Sequence, residues 1–152
     1  MSETAAPPLP PHFNVEKLYV KDVSLEIPHA PAIFLERDPP RIDLQLNTLY
    51  EAVSEGLFEV TVTATVTAKV KDKVMFLIEA KQAGIFQVRN VPQENMEQVL
   101  VITCPNLLYP YLREVVSDIS VRAGFAPVLL SAIDFAALHA QQQQAQAAPT
   151  TH

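Results

Sequence analysis

The feature that most constrains the fold is a pair of long alternating segments between Leu57 and Val88. In the first segment, apolar residues occupy every even position from Phe58 to Val70, with threonine or a charged residue between them. This period of two, rich in β-branched residues, predicts one long half-buried strand. The alternation resumes after the polar turn 71–73, so we expect an antiparallel hairpin. At about 3.3 Å per residue the first strand would span roughly 45 Å, and so long a sheet is expected to need partners.

Length and charge limit the class of protein. The chain has 152 residues, 49% of them hydrophobic, which is enough for one domain with a substantial core. Its 17 acidic against 11 basic residues give a net charge of -6. This sign argues against binding to nucleic acid or to an anionic membrane surface, and it favours a basic partner.

The sequence predicts neither a membrane segment nor an oxidising compartment. No run approaches the ~20 apolar residues of a spanning helix. Residues 1–11 lack the basic start and apolar centre of a secretory signal. The single cysteine, Cys104, allows no disulfide framework and no cysteine-rich metal site. We therefore expect a cytoplasmic location and no membrane insertion.

The first third of the chain predicts a disordered arm, two strands and a crossover. Residues 1–12 are proline-rich and carry almost no large apolar side chain, so we expect disorder. Residues 13–27 predict a strand with a bulge near Tyr19, where the alternation changes phase. Four prolines between Pro28 and Pro40 exclude a strand there and predict a crossover that lies over other elements. Residues 42–47 alternate again and predict a second strand.

The last third of the chain predicts helices. Gly84 is expected to interrupt the fourth strand at a bulge or twist. Helical spacing begins after Gln93, and Pro105 is expected to break the helix and start a second one that ends at Gly124. Ser131 predicts the cap of a short third helix through Leu138, followed by a polar disordered tail. Strands first and helices after them predict an α+β fold, with one domain at 13–139 between disordered segments 1–12 and 140–152.

No set of residues predicts catalysis or a cofactor. The four histidines fall in arms, loops or the tail, and Cys104 before Pro105 is expected to be packed and unreactive. Three glycines in the whole chain exclude a glycine-rich phosphate loop. A small α+β enzyme that holds a ligand on the sheet stays open as a different class. It would need a buried, paired acid or base, for which the sequence offers no candidate.

Several motifs, in one order, resemble the SecB family of bacterial protein-export chaperones. The resemblance covers about residues 15–138, and its most specific segments are Tyr19-Val20-Lys21-Asp22-Val23-Ser24, Pro28-His29-Ala30-Pro31, Gly84-Ile85-Phe86, Cys104-Pro105-Asn106, Pro110-Tyr111 with Arg113-Glu114, and Asp134-Phe135. It implies a four-stranded antiparallel sheet with helices packed on one face, assembled as a homotetramer that is a dimer of dimers. It also implies an ATP-independent holdase that keeps unfolded precursors competent for translocation and delivers them to the motor SecA. A SecB-like chaperone dedicated to a narrower client, such as an antitoxin, is the alternative within the family.

The resemblance also implies three sets of site residues, each of which has a simpler structural explanation. The surface that docks the basic, zinc-bearing C-terminus of SecA would comprise Asp22, Glu26, Leu77 and Glu79, although carboxylates on a solvent face are commonly only solubilising. A client groove would be lined by Phe34, Ile42, Leu44, Leu46, Tyr111, Leu112 and Phe135, of which Leu44, Leu46 and Leu112 could equally be core. A tetramer interface would include Ile78, Ala80 and Gln82. Asp38 and His139 replace aromatic residues of other family members, so this groove is expected to be less aromatic.

Overall fold

A computed structural model describes residues 9–147; the outer parts of the predicted arm and tail, residues 1–8 and 148–152, lie outside the described residues. Its centre is one four-stranded antiparallel sheet in the order β1-β4-β3-β2. The strands are β1 His12–Glu26, β2 Arg41–Ser54, β3 Leu57–Val70 and β4 Lys73–Arg89. β1 and β2 are therefore the two edges, and the predicted α+β sheet is confirmed.

The predicted β3–β4 hairpin forms the middle of this sheet. Its turn has only two residues, Lys71 and Asp72, with φ of 49° and 65°. Positive φ at both positions matches the right-handed twist of the flanking strands. The even-numbered side chains of β3 from Val60 to Val70 and the matching side chains of β4, such as Phe76 and Ile78, are buried on one face. We call this the inner face, and the opposite one, which carries Thr61 and Thr63, the outer face.

Two features of the strands differ from the sequence prediction. β2 runs to Ser54 instead of ending near residue 47. Its pairing with β3 continues beyond the pair Leu46–Ala64 as far as the pair Ala52–Phe58 and on to Ser54. Gly84 does not interrupt β4, whose pairing with β3 stays in register there. A Cβ at Gly84 would lie 2.9 Å from the Phe86 ring and 3.0 Å from the Leu18 side chain. Glycine is needed there for close packing between β1 and β4.

The edge strand β1 changes register twice against β4. The shifts fall between Val15 and Lys17 and between Val20 and Asp22, so they flank the position near Tyr19 where one bulge was predicted. After β1, the crossover 28–40 contains only one short 3-10 turn, Ala32–Leu35, in which Ile33 is buried. The prediction that this proline-rich segment forms no strand is confirmed.

The helices cover the inner face without the predicted break at Pro105. α1 Gln93–Gln98 continues through a π-helical turn, Val99–Thr103, into α2 Cys104–Arg122. Because the π turn widens the helix just before Pro105, the proline enters the first turn of α2 without ending the helical path. α2 packs on β3 and β4 and ends before Gly124, whose φ is +95°. The predicted stop at Gly124 is confirmed.

The third helix begins later and ends later than predicted. α3 spans Phe135–Ala147. Its cap is Asp134, whose Oδ1 accepts hydrogen bonds from the backbone N–H groups of Ala136 and Ala137 at 3.0 and 3.2 Å. Ser131 is therefore not the cap, and the helix continues through the glutamines 141–144, where a disordered tail was predicted.

Candidate functional site

All four residues of the predicted docking surface lie on the outer face of β1 and β4. Glu26 is the cross-strand partner of Leu77, and Glu79 is the partner of Ser24, which lies between Asp22 and Glu26 on the same strand. Asp22 and Glu26 are exposed, and Leu77 and Glu79 are half-buried. The register thus assembles three carboxylates around one leucine on the outer face, next to Lys81, the partner of Asp22.

A hydrogen-bonded network beside this surface was not found by sequence reasoning. Glu59 accepts hydrogen bonds from the Tyr19 hydroxyl and, at 2.6 Å, from Lys21 Nζ. Both bonds lower the pKa of the Glu59 carboxyl, with Lys21 as the larger cause. Burial, followed by the bond to Glu59, raises the pKa of Tyr19 to about 12. The network ties β1 to β3 across β4, and its only sequence signal was polar residues on the outer face.

The inner side of the edge strand β2 borders an apolar groove. Its volume is about 560 Å³, and Ile42 and Leu44 of β2 line it together with Phe76 of β4 and the segment 125–133. Phe125 stacks on Phe34 at a ring-centroid distance of 5.0 Å and lies 4.8 Å from Phe76. Phe76 and Phe125 therefore line the groove, whereas Phe34, which was predicted to line it, stacks on Phe125 and is not among the lining residues. The segment 125–133 was missed, because an apolar loop has no periodicity that indicates what it covers.

A second cavity continues along β2. Its volume is about 210 Å³, and it lies between Leu46 of β2 and the face of α3 that begins with Phe135. The remaining lining residues are mainly polar: Asn47, Thr48, Glu97, Val101, Leu138, His139, Gln142, Gln143 and Gln146. Three successive inward positions of β2, at Ile42, Leu44 and Leu46, therefore border two neighbouring cavities, one apolar and one mainly polar, which we together call the groove system.

Tyr111 and Leu112 do not join this groove. Leu112 is fully buried beneath α2, which agrees with the core alternative, whereas the side chain of Tyr111 is half exposed. Tyr109 occupies the buried face in place of Tyr111. Its hydroxyl donates to the Ser131 carbonyl, and its ring meets Phe135 edge-on at 5.6 Å. Tyr109 thereby positions the loop that leads into α3.

The three predicted interface residues lie on the inner face of β4, beneath the helices of the same chain. Ile78 and Ala80 are fully buried, and Gln82 is 3% exposed. Gln82 Oε1 is buried and has no hydrogen-bond donor among residues 9–147. A buried carbonyl without a donor costs free energy, so Gln82 is the one position of the three that the fold of a single chain does not explain.

The described residues offer neither a metal site nor a reactive thiol. Between residues 9 and 147, no three histidine, cysteine or acidic side chains are grouped as a metal site would need. Burial raises the pKa of the Cys104 thiol to about 12, so the reactive thiolate is scarce at neutral pH. Across the same residues, every helix is too short or too polar to cross a membrane.

Comparisons with known proteins agree with this architecture. The family model described as preprotein translocase subunit SecB matches residues 6–146. Two relatives are named protein-export protein SecB: that of Methylobacillus flagellatus is 54% identical over 99% of this chain and 98% of its own, and that of Nitrosomonas eutropha is 58% identical over 88% and 85%. A solved SecB-like chaperone of Mycobacterium tuberculosis, in complex with an antitoxin peptide, has a TM-score of 0.66 at 18% identity and covers 80% of this chain and 90% of its own. The last likeness concerns the fold alone. On the family match and the identities, the chain belongs to the SecB family of protein-export chaperones.

Proposed function

We propose that this chain is an ATP-independent holdase that binds unfolded precursor proteins along β2 and delivers them to the export motor SecA. The observation that carries the proposal is the groove system beside the free edge of β2. An extended polypeptide could add backbone hydrogen bonds to that edge while its apolar side chains fill the space over Ile42 and Leu44. Neither interaction depends on one particular side chain, so many unfolded sequences would bind.

Delivery to SecA would use the docking surface of Asp22, Glu26, Leu77 and Glu79. The register that brings these four residues together on the outer face, with Asp22 and Glu26 exposed, supports this role. Clients on the inner side of β2 and a partner on the outer face of β1 and β4 could then be bound at once. Complementary charge would mainly raise the rate and specificity of encounter with a basic partner.

The holdase would act as a dimer of dimers in the cytoplasm, without catalysis, a metal or a cofactor of its own. Apolar side chains left exposed by the single chain support this assembly. On α2 they are Leu107, Tyr111 and Val121, and on the inner face of β1 they are Phe13, Val15, Val20 and Leu25. Exposed apolar patches on both an edge strand and the outside of a helix are typical of association surfaces.

The first experiment compares binding of one secretory precursor in its unfolded and folded forms, with the native mass recorded in the same buffer. The holdase is supported if a species of four chains binds the unfolded form alone. Equal binding of both forms, or of neither, would overturn it.

Docking is tested separately with Glu79→Lys. We expect this variant to bind the basic C-terminal peptide of SecA at least about tenfold more weakly at low salt, with the difference shrinking as salt screens the charges. Glu51→Lys, on the outer face near the other edge, is the matched control and should bind like the wild type. Equal binding by Glu79→Lys and the control would exclude this surface while leaving client binding untouched.

A further inference from the structure

The face of α3 that points at β2 changes from apolar to amide along the helix. Six α3 residues line the second cavity, at the three-and-four spacing of a single helical face: Phe135, Leu138, His139, Gln142, Gln143 and Gln146. A helix that only packs on a sheet would keep apolar residues at all six positions. Here the second half of the face carries three glutamines, and a cavity of about 210 Å³ separates them from the strand.

The opposite side of this cavity is the free edge of the sheet. Residues 46–48 of β2 line it, and within residues 9–147 β2 is paired with β3 alone. One row of its backbone groups therefore has no strand partner among the described residues. Gln142, Gln143 and Gln146 are exposed, so their amides face solvent and can exchange water for a ligand.

A side-chain amide has the same two hydrogen-bonding groups as a peptide bond, an N–H donor and a carbonyl acceptor. An extended segment lying beside β2 would present one row of backbone groups to the strand and the opposite row to α3. Without a further partner, that second row would lose water contacts as the segment became enclosed. Amide side chains can satisfy it whatever the order of donors and acceptors.

We propose that Gln142, Gln143 and Gln146 of α3 bind the peptide backbone of an extended client segment lying along the free edge of β2. The inference rests on the proposed holdase function and adds a second set of client contacts, made by the side-chain amides of α3.

The test replaces the three glutamines together, as Gln142→Ala/Gln143→Ala/Gln146→Ala. Alanine preserves the helix, since it has the highest helix propensity. The matched control is Gln141→Ala/Gln144→Ala, which changes the same residue type in the same helix outside the cavity. The probe is a synthetic 14-residue peptide of alternating leucine and serine with lysine at each end. We expect the triple variant to bind it at least about tenfold more weakly than the control.

Backbone recognition is separated from side-chain contact by two N-methylated versions of the peptide, each lacking alternate N–H groups. In the wild type, methylation should weaken binding for both. In the triple variant, one of the two should lose much less affinity, because the amides that met its N–H groups are gone. The inference is overturned if the triple variant binds the plain peptide like the control, or if both methylated peptides lose as much affinity as they do on the wild type. If the wild type binds neither the plain peptide nor an unfolded precursor, the holdase proposal itself fails.

Discussion

At the scale of single residues, the buried amide of Gln82 predicts a gain in stability on substitution. Its Oε1 has no donor among the described residues, although the side chain is almost fully enclosed. Gln82→Leu removes this uncompensated carbonyl and keeps a similar volume. We expect the free energy of unfolding in urea to rise by about 1–3 kcal/mol.

The matched control is Gln45→Leu, an exposed glutamine of β2, which should change the free energy of unfolding by less than about 0.5 kcal/mol. A Gln82→Leu variant less stable than the wild type would contradict the prediction. It would mean that the amide finds a donor in the assembled protein.

The second residue-scale prediction concerns the pH dependence of stability. The Glu59 carboxyl has a pKa below its ordinary value of 4.5 in the folded chain, chiefly because Lys21 and Tyr19 donate to it. The unfolded chain therefore takes up the proton at a higher pH than the folded chain does. The resulting stabilisation is complete above about pH 4.5 and is lost as the pH falls through the lowered pKa. Glu59→Gln should reduce this acid-side loss in urea titrations between pH 6 and 3.

The control is Glu51, the cross-strand partner of Glu59. It lies next to the network, but Lys21 and Tyr19 donate their hydrogen bonds to Glu59 and not to Glu51. Glu51→Gln should keep the acid-side slope. The same Glu59→Gln variant should also lower the pKa of Tyr19 from about 12, since a hydrogen bond that raises it is weakened and the nearby charge is removed. Absorbance of tyrosinate in an alkaline titration measures this. Unchanged slopes in both titrations would disprove the role of the network.

At the scale of elements, the start of α3 depends on one side chain. Asp134 satisfies two backbone N–H groups of the first turn, so Asp134→Ala should destabilise the helix by about 1 kcal/mol. Hydrogen exchange of residues 136–147 should accelerate accordingly. Ser131→Ala is the control: the Ser131 carbonyl, and not its hydroxyl, receives the bond from Tyr109, so exchange in α3 should stay at the wild-type rate. The reverse order of the two variants would restore Ser131 as the cap.

The elements that sequence reasoning predicted best are those with one buried face. Burial imposes the alternation of β3 and β4, and that pattern was visible at Phe76 and Ile78. The extent of α3 could not be predicted, because Gln142 and Gln143 are exposed and polar and a tail has the same composition. The helical path through Pro105 was missed for a different reason. Whether a proline ends a helix or is preceded by a widened turn depends on the packing of α2, which is not local.

At the scale of the whole molecule, some parts of the candidate site could be predicted from the sequence and others depend on the tertiary fold. The residues of the proposed docking surface were named from the family resemblance, and the residue pattern itself indicated only that Asp22 shares a strand face with Glu26, and Leu77 with Glu79. The position of the first pair beside the second comes from the pairing of β1 with β4, which the sequence did not predict. Of the residues that line the groove system, Ile42, Leu44 and Leu46 of β2 and Phe135 of α3 were named from the family resemblance, whereas the loop 125–133 and the glutamines of α3 were not. The side opposite β2 comes from this loop and from α3, whose distance from β2 depends on the complete tertiary fold.

The last prediction concerns the assembly of four chains, which we expect to respond to a substitution in the core. Ala80 is fully buried between Val23 of β1 and Ala64 of β3, beneath the helices. Three extra carbons in Ala80→Leu cannot fit without moving α2 outward. The exposed outer side of α2 would then present Val121 at a changed angle, and we expect the native mass to fall from four chains to two.

Ala52→Leu on the exposed part of β2 should stay at four chains, which controls for added apolar volume. Because Ala80→Leu strains the core, Val121→Asp provides a second test from the surface: it touches exposed helix only and should also give two chains, with an unchanged circular dichroism spectrum. If both variants keep the mass of four chains, α2 does not form the contact between dimers. The apolar inner face of β1 would then have to supply that contact.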